Sequence, residues 1–138
     1  MNNQYLIDAG FEVCQKQEGF SELSGPFYEK KQGGYWLRAL VIEAKHLNPE
    51  GVVHGGVLLS MTDYIVYRAI GDEITHDIQF ATINLNTQFL AAAKLGDVIY
   101  GKGKITRKTH SVIFAEGELY TNERPIMSGT GIWKIIGR

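Results

Sequence analysis

The sequence predicts an α+β domain in which a curved antiparallel sheet wraps one long central helix. Three observations predict it. Residues 55–70 are apolar on nearly every side at helical spacing, with Val57, Leu58, Met61, Ile65, Ala69 and Ile70 on one face and Leu59, Tyr64, Val66 and Tyr67 extending it. A helix apolar almost all round is a buried helix. Strand-like segments stand on both sides of it in the chain. Finally, 16 of the 138 residues are glycine, about 12% against an average of about 7%. Only 3 prolines accompany them and no Gly-X-Y period exists, so the excess serves a packed fold.

The elements follow in order. Residues 3–19 carry Leu6, Ile7, Gly10, Val13 and Cys14 at roughly helical spacing, with Gly19 as a stop signal. Ser24-Gly25-Pro26 marks a turn. Residues 27–46 read as two strands broken at Gly33-Gly34, rich in aromatic and β-branched residues. A loop over 47–53 leads into the central helix. Beyond it, residues 80–90 alternate, with Ala81, Ile83, Leu85, Thr87 and Phe89 on one face and Thr82, Asn84, Asn86 and Gln88 on the other. Further strands follow over 98–107, 111–121 and 125–136, separated by turn-like residues around 94–97, 108–110 and 122–124.

Length and composition fit one domain, residues 1–138, able to bury a core of its own. A net charge of −1 argues against a nucleic-acid partner, which would call for a basic domain. A single cysteine, Cys14, excludes an internal disulfide and fits a reducing compartment. The first residues lack the basic and apolar regions of a secretory leader. The 55–70 segment carries Asp63 and Arg68 and falls short of a membrane span. The expectation is a soluble, cytoplasmic protein without a membrane partner.

The glycines have a spatial logic. If the last three strands form hairpins turning near Thr109 and Glu123, Gly101 faces Gly117, which faces Gly129, while Gly103 faces Ala115, which faces Gly131. Glycine weakens a strand interior and often marks a close backbone approach. Two rows of minimal side chains therefore suggest a trough, and the helix over 55–70 is the object to fill it. The plainer reading is scattered turn or bulge glycines.

The chemistry gathers at that helix. Asn48-Pro49-Glu50-Gly51-Val52-Val53-His54-Gly55-Gly56 leads into its start. A helix N-terminus offers unpaired N–H groups and the positive end of the macrodipole, and two glycines there let a ligand approach closely. Such a site suits a carbonyl oxygen that gains charge in a transition state, with His54 and Asn48 as further donors; plain capping is the alternative. Asp63 is the sharper anomaly, a carboxylate amid Leu59, Met61, Ile65 and Val66. Burial raises a carboxyl pKa, which suits a general base; a structural partner such as Arg68 or Tyr67, or an exposed helix edge, is the alternative. His54 and Asp63 stand nine positions apart, about 13 Å along the axis. If both serve one reacting carbon, Asp63 must come from a second subunit, which predicts a two-fold dimer with composite sites.

The spaced set Asn48, His54, Gly55, Gly56 and Asp63 resembles the Asn…His-Gly-Gly…Asp signature of hotdog-fold thioesterases of the phenylacetate-pathway (PaaI-like) group. The resemblance covers most of the chain. It implies hydrolysis of an acyl-CoA thioester to free CoA and a carboxylic acid, with neither cofactor nor metal. It implies that the Gly55 N–H polarises the thioester carbonyl, that Asn48 and His54 orient it, and that Asp63 acts as base or nucleophile across the dimer. Thr82 matches the position that helps hold the attacking water. It also implies dimers that commonly pair into homotetramers. One departure is visible: the family often has proline before the fourth strand, where this chain runs Ala91-Ala92-Ala93-Lys94, an expected loosening of that loop. Substrate contacts are expected from Gly56, from Tyr64, Tyr67 and Phe89 as an aromatic lining, and from Lys94, Arg107 and Lys108 for CoA phosphates, although core aromatics and solvated turn charges are the plainer readings. The competing functions are a non-catalytic acyl-CoA binding module on the same fold and a hotdog dehydratase, against which the Gly-Gly start and Asp63 argue.

Overall fold

The computed structural model describes residues 3–15, 17–74 and 78–136. The chain runs α1 (Gln4–Asp8), β1 (Glu12–Val13), α2 (Phe20–Ser24), β2 (Tyr28–Gln32), β3 (Tyr35–Val41), a 3₁₀ turn (Ala44–His46), α3 (Gly55–Gly71), β4 (Gln79–Phe89), β5 (Val98–Lys108), β6 (Val112–Tyr120) and β7 (Pro125–Ile136). Among the described residues the sheet has seven strands in the order β1-β2-β3-β5-β6-β7-β4, every neighbouring pair antiparallel. The curved sheet with one long helix against it is the hotdog architecture the sequence predicts.

The helix expected over 3–19 is much shorter. Gly10 takes a positive φ of 93°, a backbone that continues no right-handed helix, so α1 stops at Asp8 and the chain straightens to pair β1 with β2. Gly19, expected as a helix stop, instead precedes α2 as its N-cap. Leu6 and Phe11 pack with Tyr28, Leu37 and Tyr100 in a small core separate from the main one. The second strand also ends sooner than expected, at Val41, and residues 44–46 form the 3₁₀ turn.

The trough is real, but one register is corrected and only one of the two predicted rows of minimal side chains survives, because Ala115 faces Ile105 rather than Gly103. Between β6 and β7, Gly117 faces Gly129 and Ala115 faces Gly131, as predicted. Between β5 and β6 the pairing slips by two residues, so Gly103 faces Gly117 and Gly101 faces Leu119. The hairpin turns later than Thr109, and a bulge between Ile105 and Arg107 absorbs one residue. A two-residue slip keeps every side chain on its face, so the row Gly103–Gly117–Gly129 still lies under α3. A methyl at Gly103 would sit 3.2 Å from the Val66 Cα, one at Gly117 would sit 3.1 Å from the Val66 Cγ2, and one at Gly129 would sit 3.2 Å from the Thr62 Cγ2. The helix lies directly on sheet backbone.

Helix α3 buries Leu58, Met61, Thr62, Ile65, Val66 and Ile70. It is not covered all round, contrary to expectation: Leu59 and Tyr67 are exposed and Asp63 is half-buried. These three share one stripe at i, i+4 and i+8. The alternation read over 80–90 is also interrupted. Thr82 pairs with Trp133 but Asn84 pairs with Ile132, leaving Ile83 as a bulge. One extra residue reverses the faces, so Thr82 before the bulge and Leu85 and Thr87 after it all face the helix side.

Candidate active site at the start and middle of the central helix

The approach to α3 is built by polar side chains that satisfy its backbone. Asn48 Oδ1 accepts from the N–H groups of Glu50 (2.9 Å) and Val52 (3.2 Å), an Asx-type turn that folds the loop. Its amide nitrogen is thereby the outward function. Val53 donates to the Ala93 carbonyl at 2.8 Å, which docks the loop on the segment after β4. His54 is the N-cap in an extended conformation, φ −60° and ψ 132°, and its Nδ1 accepts from the Gly56 N–H at 2.8 Å. A ring that accepts at Nδ1 carries its proton on Nε2. The Val57 N–H bonds the His54 carbonyl. The Gly55 N–H donates to no group among the described residues. So the capping alternative for His54 and the donor role are compatible: the cap consumes the Gly56 donor and leaves the Gly55 N–H, His54 Nε2–H and Asn48 Nδ2 as donors at the positive end of the helix dipole.

A cleft of about 340 Å³ opens beside Gly55, lined by Val53, Leu58, Phe89, Leu90 and Ala91 through Ala93. Phe89 forms one wall; a methyl at Gly55 would sit 3.1 Å from its ring. The loop without the family's proline is held instead by Arg124, whose Nη2 donates to the Ala92 carbonyl (2.7 Å) and to Asp97 (2.9 Å). Nothing near residues 91–97 singled out Arg124, because it is distant in sequence. A larger groove of about 610 Å³ crosses the outer sheet face between the Lys102–Glu118 and Lys104–Glu116 pairs. None of the candidate residues borders it, and its size alone makes no chemistry.

Asp63 lies on the open flank of α3, where its Oδ1 accepts the Thr82 hydroxyl at 2.7 Å. The structure therefore brings Asp63 and Thr82 together, and the bulge at Ile83 is the local device that aims Thr82 inward. Arg68, the alternative partner, is occupied elsewhere, with Glu29 (3.3 Å) and Asp72 (3.4 Å). Tyr67, one turn beyond Asp63, packs on Phe80 with ring centroids 4.7 Å apart. Along the helix Gly55 and Asp63 are eight residues, about 12 Å, apart.

The remaining candidates scatter. Tyr64 points to the other flank, packed on Phe27 and beneath the Arg38 guanidinium; burial raises its pKa. Lys94 stands in the turn beside the cleft, where its backbone N–H bonds Asp97. Arg107 and Lys108 are at the opposite end of α3, Lys108 donating to the Glu73 carbonyl at 2.9 Å. Within one chain Lys94 and these two cannot grip the same phosphate. Sequence reading missed a buried cluster behind the helix. Arg38, 5% exposed, pairs with Glu29 at 3.1 Å and donates to the Tyr64 carbonyl at 3.0 Å. Cys14 sits beside it, its thiol pushed up to about 12 by burial.

The fold has parallels among solved structures. The structure of the conserved protein PA5202 from Pseudomonas aeruginosa aligns with a TM-score of 0.75 at 22% identity, covering 89% of this chain and 99% of that one. The BH2602 protein from Bacillus halodurans, solved with CoA, aligns at 0.74 and 20% identity over 80% of this chain and 74% of that one. The Escherichia coli PaaI protein of the phenylacetic acid degradation operon aligns at 0.71 and 15% identity over 99% and 86%. At these identities the likeness is one of fold. In sequence, a Pseudomonas aeruginosa candidate esterase, PA0474, is 25% identical over 130 residues, 94% of this chain and 97% of its own length. The thioesterase superfamily model matches residues 50–127, the span from the helix approach through β4 to β7. The chain belongs to the thioesterase superfamily, hotdog-fold proteins whose common chemistry is thioester hydrolysis.

Proposed function

We propose that this chain is an acyl-CoA thioesterase working as a dimer with composite sites. The observation that carries it is the Asp63–Thr82 pair on the open flank of α3, about 12 Å from the donor group at Gly55. One chain supplies both halves of a hydrolytic site, too far apart to act on one carbon. A two-fold antiparallel pairing of α3 with its copy brings the start of one helix to the middle of the other. The exposed stripe of Leu59 and Tyr67 around Asp63 supports it, as do exposed Ile83 and Phe89 on β4, the strand at the end of the sheet order with a free edge. The tetramer expected from the resemblance is the next level of the same proposal.

The mechanism follows from the groups in place. The thioester carbonyl lies at the Gly55 N–H, with His54 Nε2–H and Asn48 Nδ2 orienting it and the helix dipole behind. The copy's Asp63, held through Oδ1 by Thr82, presents Oδ2 to the reacting carbon, either taking a proton from an attacking water or attacking directly. Where water attacks, its oxygen bonds the carbonyl carbon, its proton passes by way of Asp63 to the sulfur, and the C–S bond breaks to give the carboxylic acid and the free thiol. Where Asp63 attacks, the C–S bond breaks to leave a mixed anhydride, which water then hydrolyses, restoring the Asp63 carboxylate and supplying the thiol's proton. The apolar cleft beside Gly55 and Phe89 takes part of the substrate, and Lys94, Arg107 and Lys108 are the cations offered to CoA phosphates once two chains combine. CoA is substrate, and the proposed chemistry draws on no cofactor.

The test is thiol release from aryl-, short- and long-chain acyl-CoA. Gly55→Pro is a sharp probe. Proline is well suited to the first helical position, and His54 already has the extended backbone a residue before proline adopts. The variant deletes one N–H and keeps the helix, and Gly55→Ala, which keeps the N–H while its methyl makes the same 3.1 Å approach to the Phe89 ring, is the steric control. Turnover should fall about 10²–10³-fold, the usual cost of one such donor. Asp63→Ala should be similarly impaired. Refolding the two dead variants together should restore about a quarter of the wild-type sites, because half the dimers are mixed and each carries one intact site. A fully active Asp63→Ala protein would sink the mechanism; acyl-CoA binding with no thiol release across the panel would make the chain a binding module.

A further inference from the structure

We infer that His46 is a positioning residue: its imidazole is a strut that sets where the Gly55 N–H stands. The inference rests on the proposed role of that N–H. His46 is 1% exposed and uses every polar atom it has. The Glu43 N–H donates to its Nδ1 at 2.9 Å, so the ring proton is on Nε2, which donates to the Ser24 carbonyl at 2.6 Å. The His46 carbonyl accepts the His54 N–H at 2.8 Å. His54 then caps Gly56 and Val57. One chain of bonds thus runs from the end of α2 through His46 to the first turn of α3.

The far end of this strut is itself anchored. Gln17 donates to the carbonyls of Cys14 (2.9 Å) and Phe27 (3.1 Å), and the Phe27 N–H donates to its Oε1 at 2.7 Å. That fixes the segment around α2 to the sheet. A buried imidazole needs a partner at each ring nitrogen, and breaking either bond is costly. Removing the Ser24 bond frees the 3₁₀ turn to shift, and His54 and Gly55 shift with it. Displacing a catalytic donor by a fraction of an ångström acts on turnover more than on binding.

Two substitutions separate the two ring bonds. His46→Asn places an acceptor near Nδ1 and keeps the Glu43 bond but cannot reach Ser24. His46→Gln reaches the Nε2 position and keeps a donor to Ser24 but gives up the Glu43 bond. The expected result is that His46→Gln keeps kcat within about threefold of wild type while His46→Asn lowers it about 10- to 100-fold with KM little changed. Amide hydrogen exchange at residues 54–57 should quicken in His46→Asn and stay native in His46→Gln. Equal behaviour of the two variants in exchange, or a change in KM alone, overturns the inference. Exchange does not depend on turnover, so a wild-type protein without thioesterase activity would refute the proposed function and leave the strut to be judged by exchange. The wild-type ring gives a third reading: nitrogen NMR should find the proton on Nε2, and finding it on Nδ1 overturns the strut even where neither variant folds.

Discussion

Replacing Gly103 by alanine tests whether the glycine row exists to seat α3. The new methyl would stand 3.2 Å from the Val66 Cα and 3.3 Å from the Glu116 carbonyl oxygen. Comfortable carbon contacts lie at about 3.5–4.0 Å. Backbone blocks the methyl on both sides, so the gap opens only by lifting the helix. Overpacking of this kind costs about 1–3 kcal/mol, and alanine returns about 0.5–1 kcal/mol by stiffening the unfolded strand, leaving about 0–2.5 kcal/mol of destabilisation, about 1 kcal/mol at mid-range. Gly117→Ala is the comparison: its methyl meets side-chain carbons rather than backbone, the Val66 Cγ2 at 3.1 Å and the Ile65 Cδ1 at 3.2 Å, so relief by small side-chain shifts should make it cost less than Gly103→Ala. Gly131→Ala, facing the Asn84 carbonyl oxygen at 2.5 Å and the Trp133 ring at 2.7 Å, should cost most. Urea and thermal unfolding at one protomer concentration give the ranking, with about 3–5 °C in Tm per kcal/mol. A Gly103→Ala protein no less stable than Gly117→Ala would refute the seating argument.

Other substitutions probe the two flanks of the helix. Thr82→Val removes the hydroxyl that Asp63 accepts; turnover should fall about tenfold, the worth of one modest hydrogen bond, with Tm unchanged. Glu29→Leu alone leaves Arg38 buried and unpaired and should cost about 3–5 kcal/mol, most of it recovered in Glu29→Leu/Arg38→Met, which denaturant titration of the three proteins would show. Cys14 should resist a thiol reagent in the native state and react on unfolding. Because burial raises its folded pKa to about 12, its contribution to stability is complete below the unfolded value of about 8.5 and is lost as pH rises toward 12, by at most about 1.4 kcal/mol per pH unit. Wild type should therefore lose stability above pH 9 more steeply than Cys14→Val in urea titrations.

Much of this was legible because the pattern repeats locally. The helix over 55–70 announced itself by period, and the Gly117–Gly129 register by the short turn at 121–124. What stayed hidden depended on single-residue events or distant partners. The bulge at Ile83 inverts the faces of β4, and no composition cue marks it. The hairpin between β5 and β6 slipped because its turn residues Thr109, His110 and Ser111 lack a glycine that would fix the turn type. His46, Arg38 and Arg124 carry ordinary polar side chains whose meaning comes from Ser24, Tyr64 and Ala92, 22, 26 and 32 residues away. Asn48, His54 and Asp63 stand within sixteen residues of one another, so their grouping as candidates needs no long-range contact.

The two faces of α3 differ in a way that fits the proposed site. Its inner face touches backbone at Gly103, Gly117 and Gly129, which leaves the helix little freedom to slide or roll. Arg38 adds a bond to the Tyr64 carbonyl, one residue past Asp63. A carboxylate on the next turn of such a helix is placed to within the tolerance of the sheet itself. The outer stripe has the opposite character: Leu59 and Tyr67 bracket Asp63 on open surface. An apolar stripe interrupted by one carboxylate is a poor choice for a surface that stays in water and a costly one for an interface that only packs. It fits the proposed dimer, in which that charge would face the copy's helix start. The same reasoning gives Thr82 its place, since a carboxylate entering an interface needs a donor from its own chain to hold one oxygen while the other works.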